Sequence, residues 1–314
     1  MSIHSYHSSV HRIFAALSDP NRMRIVSVLQ DGPLNVSEVS AILHLTQSNA
    51  SRHLRSLLDS GIVKRQGASG WVWYSLDTSD PVVRDACRLA SAGASGMPGH
   101  EADRRELARC YELRRSSSRE FFARLAPEWS RFSSLLPDPS LYSAEIGSLL
   151  PRGAAVAELG CGTGTLFPVI SGDGRSVIGI DNSPEMLSAA RKRAEELGIS
   201  DSVDLRLGEV EHLPMADESV DCVLAHMVLH HLSRPNEVYS ESWRVLRPGA
   251  AFLLVELTEH GNPALRKLHG DLWPGFDPAQ VSRDLRASGF DCRPPRMVAG
   301  GKAFLLFCTR KESR

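Results

Sequence analysis

Residues 154–167 read AAVAELGCGTGTLF, and the fold of the larger part of the chain follows from them. Ala154 to Leu159 is a short apolar run of small and branched residues, the pattern of a buried strand. It leads directly into Glu158-Leu159-Gly160-Cys161-Gly162-Thr163-Gly164, where three glycines allow a tight turn and close approach of backbone to a ligand. A helical run is expected from Thr165. A second strand, Val177–Ile180, ends at Asp181, 21 residues after Gly160, the spacing of a carboxylate that bonds ribose hydroxyls. Strand, glycine turn, helix, second strand and acid in this order predict a parallel βαβ unit that opens on a nucleoside. From Pro151 onward short β-rich runs alternate with helical ones, which extends the parallel sheet through the C-terminal half.

The kind of nucleoside is narrowed by Glu158. A dinucleotide fingerprint reads GxGxxG and seats a pyrophosphate on a helix N-terminus. A carboxylate just before the glycines opposes a pyrophosphate but suits a ligand that carries an ammonium and a sulfonium. On these residues, ELGCGTG (158–164) resembles the first motif of S-adenosylmethionine-dependent methyltransferases. GIDNSPEMLSAARKRA (179–194) resembles their second strand and helix, and residues 205–256 the rest of the core. The resemblance implies an α/β, Rossmann-like domain with a mostly parallel seven-stranded sheet. It also implies S-adenosylmethionine or S-adenosylhomocysteine as the ligand. Gly160, Gly162 and Gly164 would line the methionine moiety, together with Glu158, Cys161 and Thr163 of the same turn. Asp181, followed by Asn182, would hold the ribose, with Met186 packed nearby. Glu209 and Val210 fall where an acidic residue commonly bonds the adenine amino group, Glu standing for the commoner Asp. Ala225 and His226 would pass near the sulfur.

The chemistry is less determined than the binding. The Asn-Pro-Pro-Tyr type motif of nucleic-acid amino methyltransferases is replaced by Ala225-His226-Met227-Val228, so base methylation is not expected. Arsenite methylation needs converging thiols, and Cys161, Cys222, Cys292 and Cys308 are scattered. His226, His230, His231 and His260 are possible bases, but each fits a packed histidine as well. No catalytic residue is assigned. A Rossmann-like domain that binds nothing is the bland alternative.

The first ninety residues have another character. Val10, Ile13, Phe14 and Leu17 make one apolar helical face, and Asp19-Pro20 stops that helix and starts the next. A third helix is expected from Ser37. A fourth begins near Thr46 and runs through His53, Leu54, Leu57 and Leu58 to Gly61. Two short strands, Ile62–Gln66 and Trp71–Leu76, follow around Gly67-Ala68-Ser69-Gly70, a hairpin with a glycine-bearing turn. Helices closed by a hairpin are the order of a winged helix-turn-helix. The candidate recognition helix offers Gln47, Ser48, Asn49, Ser51, Arg52 and Arg55, side chains able to read base edges or bond phosphate. Lys64 and Arg65 on the hairpin suit the flanking backbone. A helical bundle with a solvated polar face has the same residue types.

ALSDPNRMRIVSVLQDG (16–32) and LTQSNASRHLRSLLDSGIVKRQGASGWVWYSL (45–76) resemble the DNA-binding domain of ArsR/SmtB-type transcriptional regulators. That resemblance implies double-stranded operator DNA as a partner. It also implies a homodimer joined through the flanking helices, here residues 8–18 and 81–92, that sets two recognition helices on a palindrome. It invites a metal, but Asn35-Val36-Ser37 stands where the family's paired thiolates lie. Asp85 and Cys87 on the last helix have no histidine beside them. His4, His7 and His11 recur at helical spacing, a cluster that is commonly solvated, so no metal is expected.

SAGASGMPGHE (91–101) is a candidate linker, and residues 101–135 favour helix. The expected domains are 1–92, a linker and connecting helix over 93–135, and 136–314. The segments at 101–132 and 256–290 resemble the connecting helix and post-core region of ArsR-type regulators fused to a methyltransferase-like domain. Some of those respond to S-adenosylhomocysteine and control methionine-cycle genes. An active small-molecule methyltransferase with an appended regulatory domain remains the alternative.

Composition agrees with two globular domains: 314 residues, 42% hydrophobic and 23% charged. The net charge of −1 excludes a uniformly basic coat, yet residues 1–90 hold nine Lys/Arg against seven Asp/Glu. The longest apolar run, Ala250 to Val255, is far short of the roughly 20 residues that span a bilayer. The N-terminus lacks an apolar signal core and the six cysteines show no CxxC, so a cytoplasmic protein with reduced thiols is expected.

Overall fold

The computed structural model describes residues 3–66, 72–260 and 271–312, without the side chains of 3–9, 130 and 131. The chain forms two compact units, Met1–Arg115 and Ser116–Arg314.

In the first unit α1 (Ile3–Leu17), α2 (Pro20–Val28), α3 (Val36–Ile42) and α4 (Gln47–Asp59) precede β1 (Val63–Gln66) and β2 (Trp73–Leu76). Side-chain caps set the starts. Asp19 accepts from Arg22 N, Thr46 accepts from Asn49 N, and Asn35 with Glu38 forms a reciprocal capping box on α3. Along α4, Ala50, His53, Leu54 and Leu57 are buried, one stripe at helical spacing that packs on Ile25, Val26, Leu34 and Ile42. β1 and β2 pair antiparallel with Val63 opposite Leu76. Residues 67–70, the expected hairpin turn, and Trp71 lie outside the described residues. The expected apolar face of α1 is corrected at one position: Ile13 and Leu17 are buried, but Phe14 is 54% exposed.

α5 (Pro81–Ser95) and α6 (His100–Leu125) confine the glycine-rich break to residues 96–99, shorter than the expected linker. The first half of α6 is mostly polar: it buries Leu107 and Tyr111 in the core of this unit, and ion pairs add to its attachment. Arg24 Nε and Nη2 donate to Asp103 at 2.8 and 2.6 Å, and Arg104 pairs with Asp31 at 2.7 Å. Arg114 Nε and Nη2 donate to the two oxygens of Glu38 at 2.8 and 2.6 Å, and the guanidinium lies 4.7 Å over the Trp73 ring.

The second unit holds α7 (Trp129–Phe132), α8 (Ser143–Leu149), β3 (Ala155–Leu159), α9 (Phe167–Ile170), β4 (Ser176–Asp181), α10 (Pro184–Glu196) and β5 (Val203–Leu207). It continues with β6 (Val220–His226), α11 (Pro235–Val245), β7 (Leu246–Leu257), α12 (Pro278–Ala287), β8 (Phe290–Cys292), β9 (Arg296–Val298) and β10 (Ala303–Arg310). The sheet order is β5-β4-β3-β6-β7-β10-β8, with β9 paired to β10. β3 to β7 run parallel and β10 is antiparallel to its neighbours. Among the described residues the sheet therefore has eight strands rather than the expected seven, because Arg296–Val298 adds a short edge piece. Both faces are covered: Val156, Cys222, Leu224 and Leu253 pack on one side, Ala157, Leu159, Val223 and Phe252 on the other. The helix expected from Thr165 is a single turn, Phe167–Ile170.

The thiols also differ from expectation. Cys87, Cys110, Cys161 and Cys222 are free, but a disulfide joins Cys292 to Cys308. The antiparallel register of β8 and β10 sets the two residues opposite each other, a pairing their separation of 16 does not reveal.

Candidate functional site

Register decides where the second unit opens. Leu159 stands opposite Ile180 on one side and Ala225 on the other, so the C-terminal ends of β3, β4 and β6 finish together. β3 is where the strand order reverses, and the crevice outside such strand ends is where open α/β sheets bind ligands. At this point lies a cleft enclosing about 590 Å³ of empty space, its open mouth included.

The glycine turn builds the floor. Gly160 has φ +63°, and a Cβ there would sit 2.5 Å from Val228 Cγ2. Gly162, at φ +52°, has open space where a Cβ would point, so its backbone borders the cleft. Asp181 locks the turn: Oδ2 accepts from Gly162 N at 2.9 Å and Oδ1 from Ser183 N at 3.0 Å. Burial raises the Asp181 carboxyl above its ordinary range against those hydrogen bonds. Glu158 lies behind the turn, and burial, with Asp181 nearby, pushes it up to about 8. Its Oε2 is buried with no hydrogen-bond partner. An unpartnered carboxylate oxygen buried this deeply is costly. Glu209 is fully engaged: Oε2 accepts from Asn182 Nδ2 at 3.0 Å and Oε1 from Arg119 Nη2 at 2.6 Å.

In the first unit the outer face of α4 carries Gln47, Ser48, Ser51, Arg52 and Arg55 exposed, with Asn49 half-buried. Arg52 Nη2 donates to Asn49 Oδ1 at 3.0 Å, and Gln47 Nε2 to Ser37 Oγ at 3.3 Å. On β1, Arg65 is exposed and Lys64 half-buried. His53 belongs to the inner face. It is buried 3.8 Å from Asp19, and desolvation keeps its pKa low.

Both geometries match known families. Residues 19–65 match the model of the bacterial regulatory protein arsR family, and residues 157–254 that of the methyltransferase domain. The chain joins an arsR-family helix-turn-helix to a methyltransferase domain. The methyltransferase domain supports an S-adenosyl ligand as its cofactor. A 37.1 kDa protein of transposon TN4556 from Streptomyces fradiae is 42% identical over 108 residues, 33% of this chain and 30% of that one. An arsenite methyltransferase from Halobacterium salinarum is 36% identical over 111 residues, 34% of this chain and 28% of the other. The chain thus spans less than a third of the length of these relatives. The methyltransferase solved in complex with the Haloferax volcanii Trm112 methyltransferase activator aligns with TM-score 0.50 at 18% identity, covering 61% of this chain and 98% of that one, and shares the fold.

Within the methyltransferase domain, Gly160, Gly162, Asp181, Asn182, Met186, Glu209 and Val210 line the cleft. Glu158, Cys161, Thr163, Gly164, Ala225 and His226 are not among its lining residues. The Cys161 thiol is buried and held well above its ordinary range, and a Cβ on Gly164 would meet the Phe167 ring at 2.5 Å. Ala225 and His226 still belong to β6. Ala225 packs in the core, and His226 Nε2 lies 2.8 Å from Tyr142 Oη, burial pushing the imidazole down to about 4. Met227 and Val228, one step beyond the strand, take the place expected for that pair.

Sequence reasoning missed Ser118, Phe122 and Trp129, which the end of α6 and α7 bring to the cleft, and also Gly208 and Leu232. The aromatics had a visible signal: Phe121, Phe122 and Trp129 cluster at the end of an otherwise polar run. Of the four candidate bases, His231 alone lines the cleft, its ring edge-on to Phe122 at 4.7 Å. Among the described residues no cysteine lines it.

Proposed function

We propose that the chain is a dimeric, DNA-binding transcriptional regulator whose methyltransferase domain takes S-adenosylhomocysteine or S-adenosylmethionine as effector. The observation that carries this reading is the composition of α6. Arg114 on this helix grips Glu38, the residue that closes the capping box of α3. Ser118, Arg119 and Phe122, further along the same helix, belong to the ligand cleft or its wall. A ligand that changes the surroundings of the second group has a direct covalent route to the first. Allosteric coupling of this kind is typically worth about 1–3 kcal/mol.

The effector side rests on the unpartnered Glu158 oxygen, the open backbone of Gly162 and the Asp181 carboxylate. These would hold the methionine and ribose ends, with Asn182, Glu209 and Val210 toward the base. Bound S-adenosylmethionine supplies a sulfonium methyl, and S-adenosylhomocysteine lacks both methyl and charge. The DNA side rests on Gln47, Ser48, Ser51, Arg52 and Arg55 of α4 with Lys64 and Arg65 of β1. Dimerisation through α1 and α5 is supported by Phe14 and Leu89, large apolar side chains 54% and 67% exposed on those two helices. A repressor of methionine-cycle genes in the cytoplasm fits this design. Among the described residues no helix is long and apolar enough to cross a membrane.

Binding of an upstream palindromic DNA, titrated with each ligand, tests the reading, and unchanged DNA affinity with both overturns it. His231 on the cleft favours a second reading, an active small-molecule methyltransferase with a regulatory domain. Transfer of labelled methyl to a metabolite, abolished in Asp181→Ala, is the mark of that activity.

A further inference from the structure

Beyond β6 the chain passes through His230 and His231, and the segment ahead of α12 returns to the same place. Leu272 N and Trp273 N both donate to the His230 carbonyl, at 2.8 and 3.1 Å. This anchors Asp271 against the two imidazoles although 40 residues separate it from His231. His230, His231 and Asp271 are 0%, 8% and 2% exposed. One ligand atom from each lies within 4.8 Å of the other two.

Three features single this cluster out. Asp271 Oδ1 is 3.8 Å from His230 Nε2 and 3.6 Å from His231 Nδ1. These distances exceed a hydrogen bond. They lie a few tenths of an ångström above the roughly 3.3 Å that separates two ligand atoms on a tetrahedral ion with bonds of about 2.0–2.1 Å. Neither Asp271 oxygen has a hydrogen-bond partner among the described residues, and buried carboxylates are normally paired or metal-bound. Finally, Glu256 Oε1 lies 2.6 Å from His230 Nδ1, both side chains fully buried. A carboxylate there fixes the tautomer with the proton on Nδ1 and the Nε2 lone pair turned toward Asp271, the outer support that metal-bound histidines commonly have.

We propose that His230 Nε2, His231 Nδ1 and the Asp271 carboxylate bind a divalent transition-metal ion. Two imidazoles and one carboxylate suit a borderline cation such as zinc, and three protein ligands leave a position for water. The ion would tie the turn after β6 to the segment before α12, beside the cleft that His231 lines. The site is independent of the effector reading, which stands or falls on DNA binding.

The test uses the full chain, stripped by chelator, and zinc alone as the probe. Calorimetric titration is expected to show one zinc per chain that His231→Asn and Asp271→Asn each abolish. Glu256→Gln should weaken that zinc about 10–100-fold. Equal zinc uptake by wild type and both variants locates the ion elsewhere, such as the N-terminal histidines, and overturns the proposal, as does no uptake by wild type. Should the variants fold poorly, X-ray absorption of zinc-loaded wild type decides. Nitrogen and oxygen neighbours at about 2.0–2.1 Å including two imidazoles support the site, and a sulfur neighbour at about 2.3 Å contradicts it.

Discussion

Arg119 Nη2 donates to Glu209 Oε1 at 2.6 Å, so a residue of α6 holds the carboxylate expected to meet the adenine end of the ligand. The side chains are 46% and 29% exposed, and a pair in such surroundings contributes little to stability. Its interest is positional. Glu209→Ala should weaken S-adenosylhomocysteine binding about tenfold by calorimetry. Arg119→Ala should change that affinity by less than about fivefold, yet diminish the ligand's effect on DNA binding. Equal ligand effects on DNA in Arg119→Ala and wild type would remove this pair from the coupling route.

Arg114 stands in a different regime. Its side chain is 6% exposed and it meets Glu38 through two hydrogen bonds. Removing one partner of a buried pair leaves the other uncompensated, at about 3 kcal/mol or more. Arg114→Ala should lower the melting temperature by several degrees and weaken DNA binding. Arg115→Ala, whose partner Glu112 is exposed on the same helix, serves as the control and should do neither.

The reader surface predicts an electrostatic signature. Arg52→Ala and Arg55→Ala should each reduce the slope of log affinity against log salt by about one for every phosphate the side chain neutralises. Ligand binding to the methyltransferase domain should be unaffected. Salt slopes from fluorescence anisotropy in both variants check this.

Glu158 gives the pH dependence. Its carboxyl is pushed up to about 8 from an ordinary 4.5, so the folded protein holds a proton the unfolded chain releases. The stability this confers is complete at low pH and is lost as pH rises toward 8. Glu158→Gln should therefore flatten the decline in melting temperature between about pH 5 and 8. An ammonium placed against Glu158 favours its ionised form, so ligand binding near pH 7 should release a proton. Calorimetry in buffers of different ionisation enthalpy measures that release, and buffer-independent heats would place the ammonium elsewhere.

The elements that periodicity controls were legible in the sequence. The α4 stripe and the β3 strand with its glycine turn were each expected from local pattern, and Asp181 ends β4 as its spacing predicts, but its hydrogen bond to Gly162 N carried no sequence signal. Failures came where tertiary pairing decides. Arg296–Val298 became a strand only because β10 runs past it, and Cys292 met Cys308 through the same antiparallel return. His226 was expected in the cleft, but β6 keeps it in the sheet and passes the position to Met227 and Val228. Phe122 and Trp129 were read as part of a connector, because a polar helix gives no warning that its end will wall a cleft.

The central claim is that one chain couples an S-adenosyl ligand to operator affinity. Fluorescence anisotropy of a labelled palindromic upstream duplex, titrated with protein with and without saturating S-adenosylhomocysteine or S-adenosylmethionine, measures it directly. The account predicts that at least one ligand shifts the DNA dissociation constant by about 5–150-fold. It also predicts that Asp181→Ala abolishes the shift while leaving ligand-free DNA affinity unchanged. Identical binding curves in the presence and absence of both ligands would contradict it.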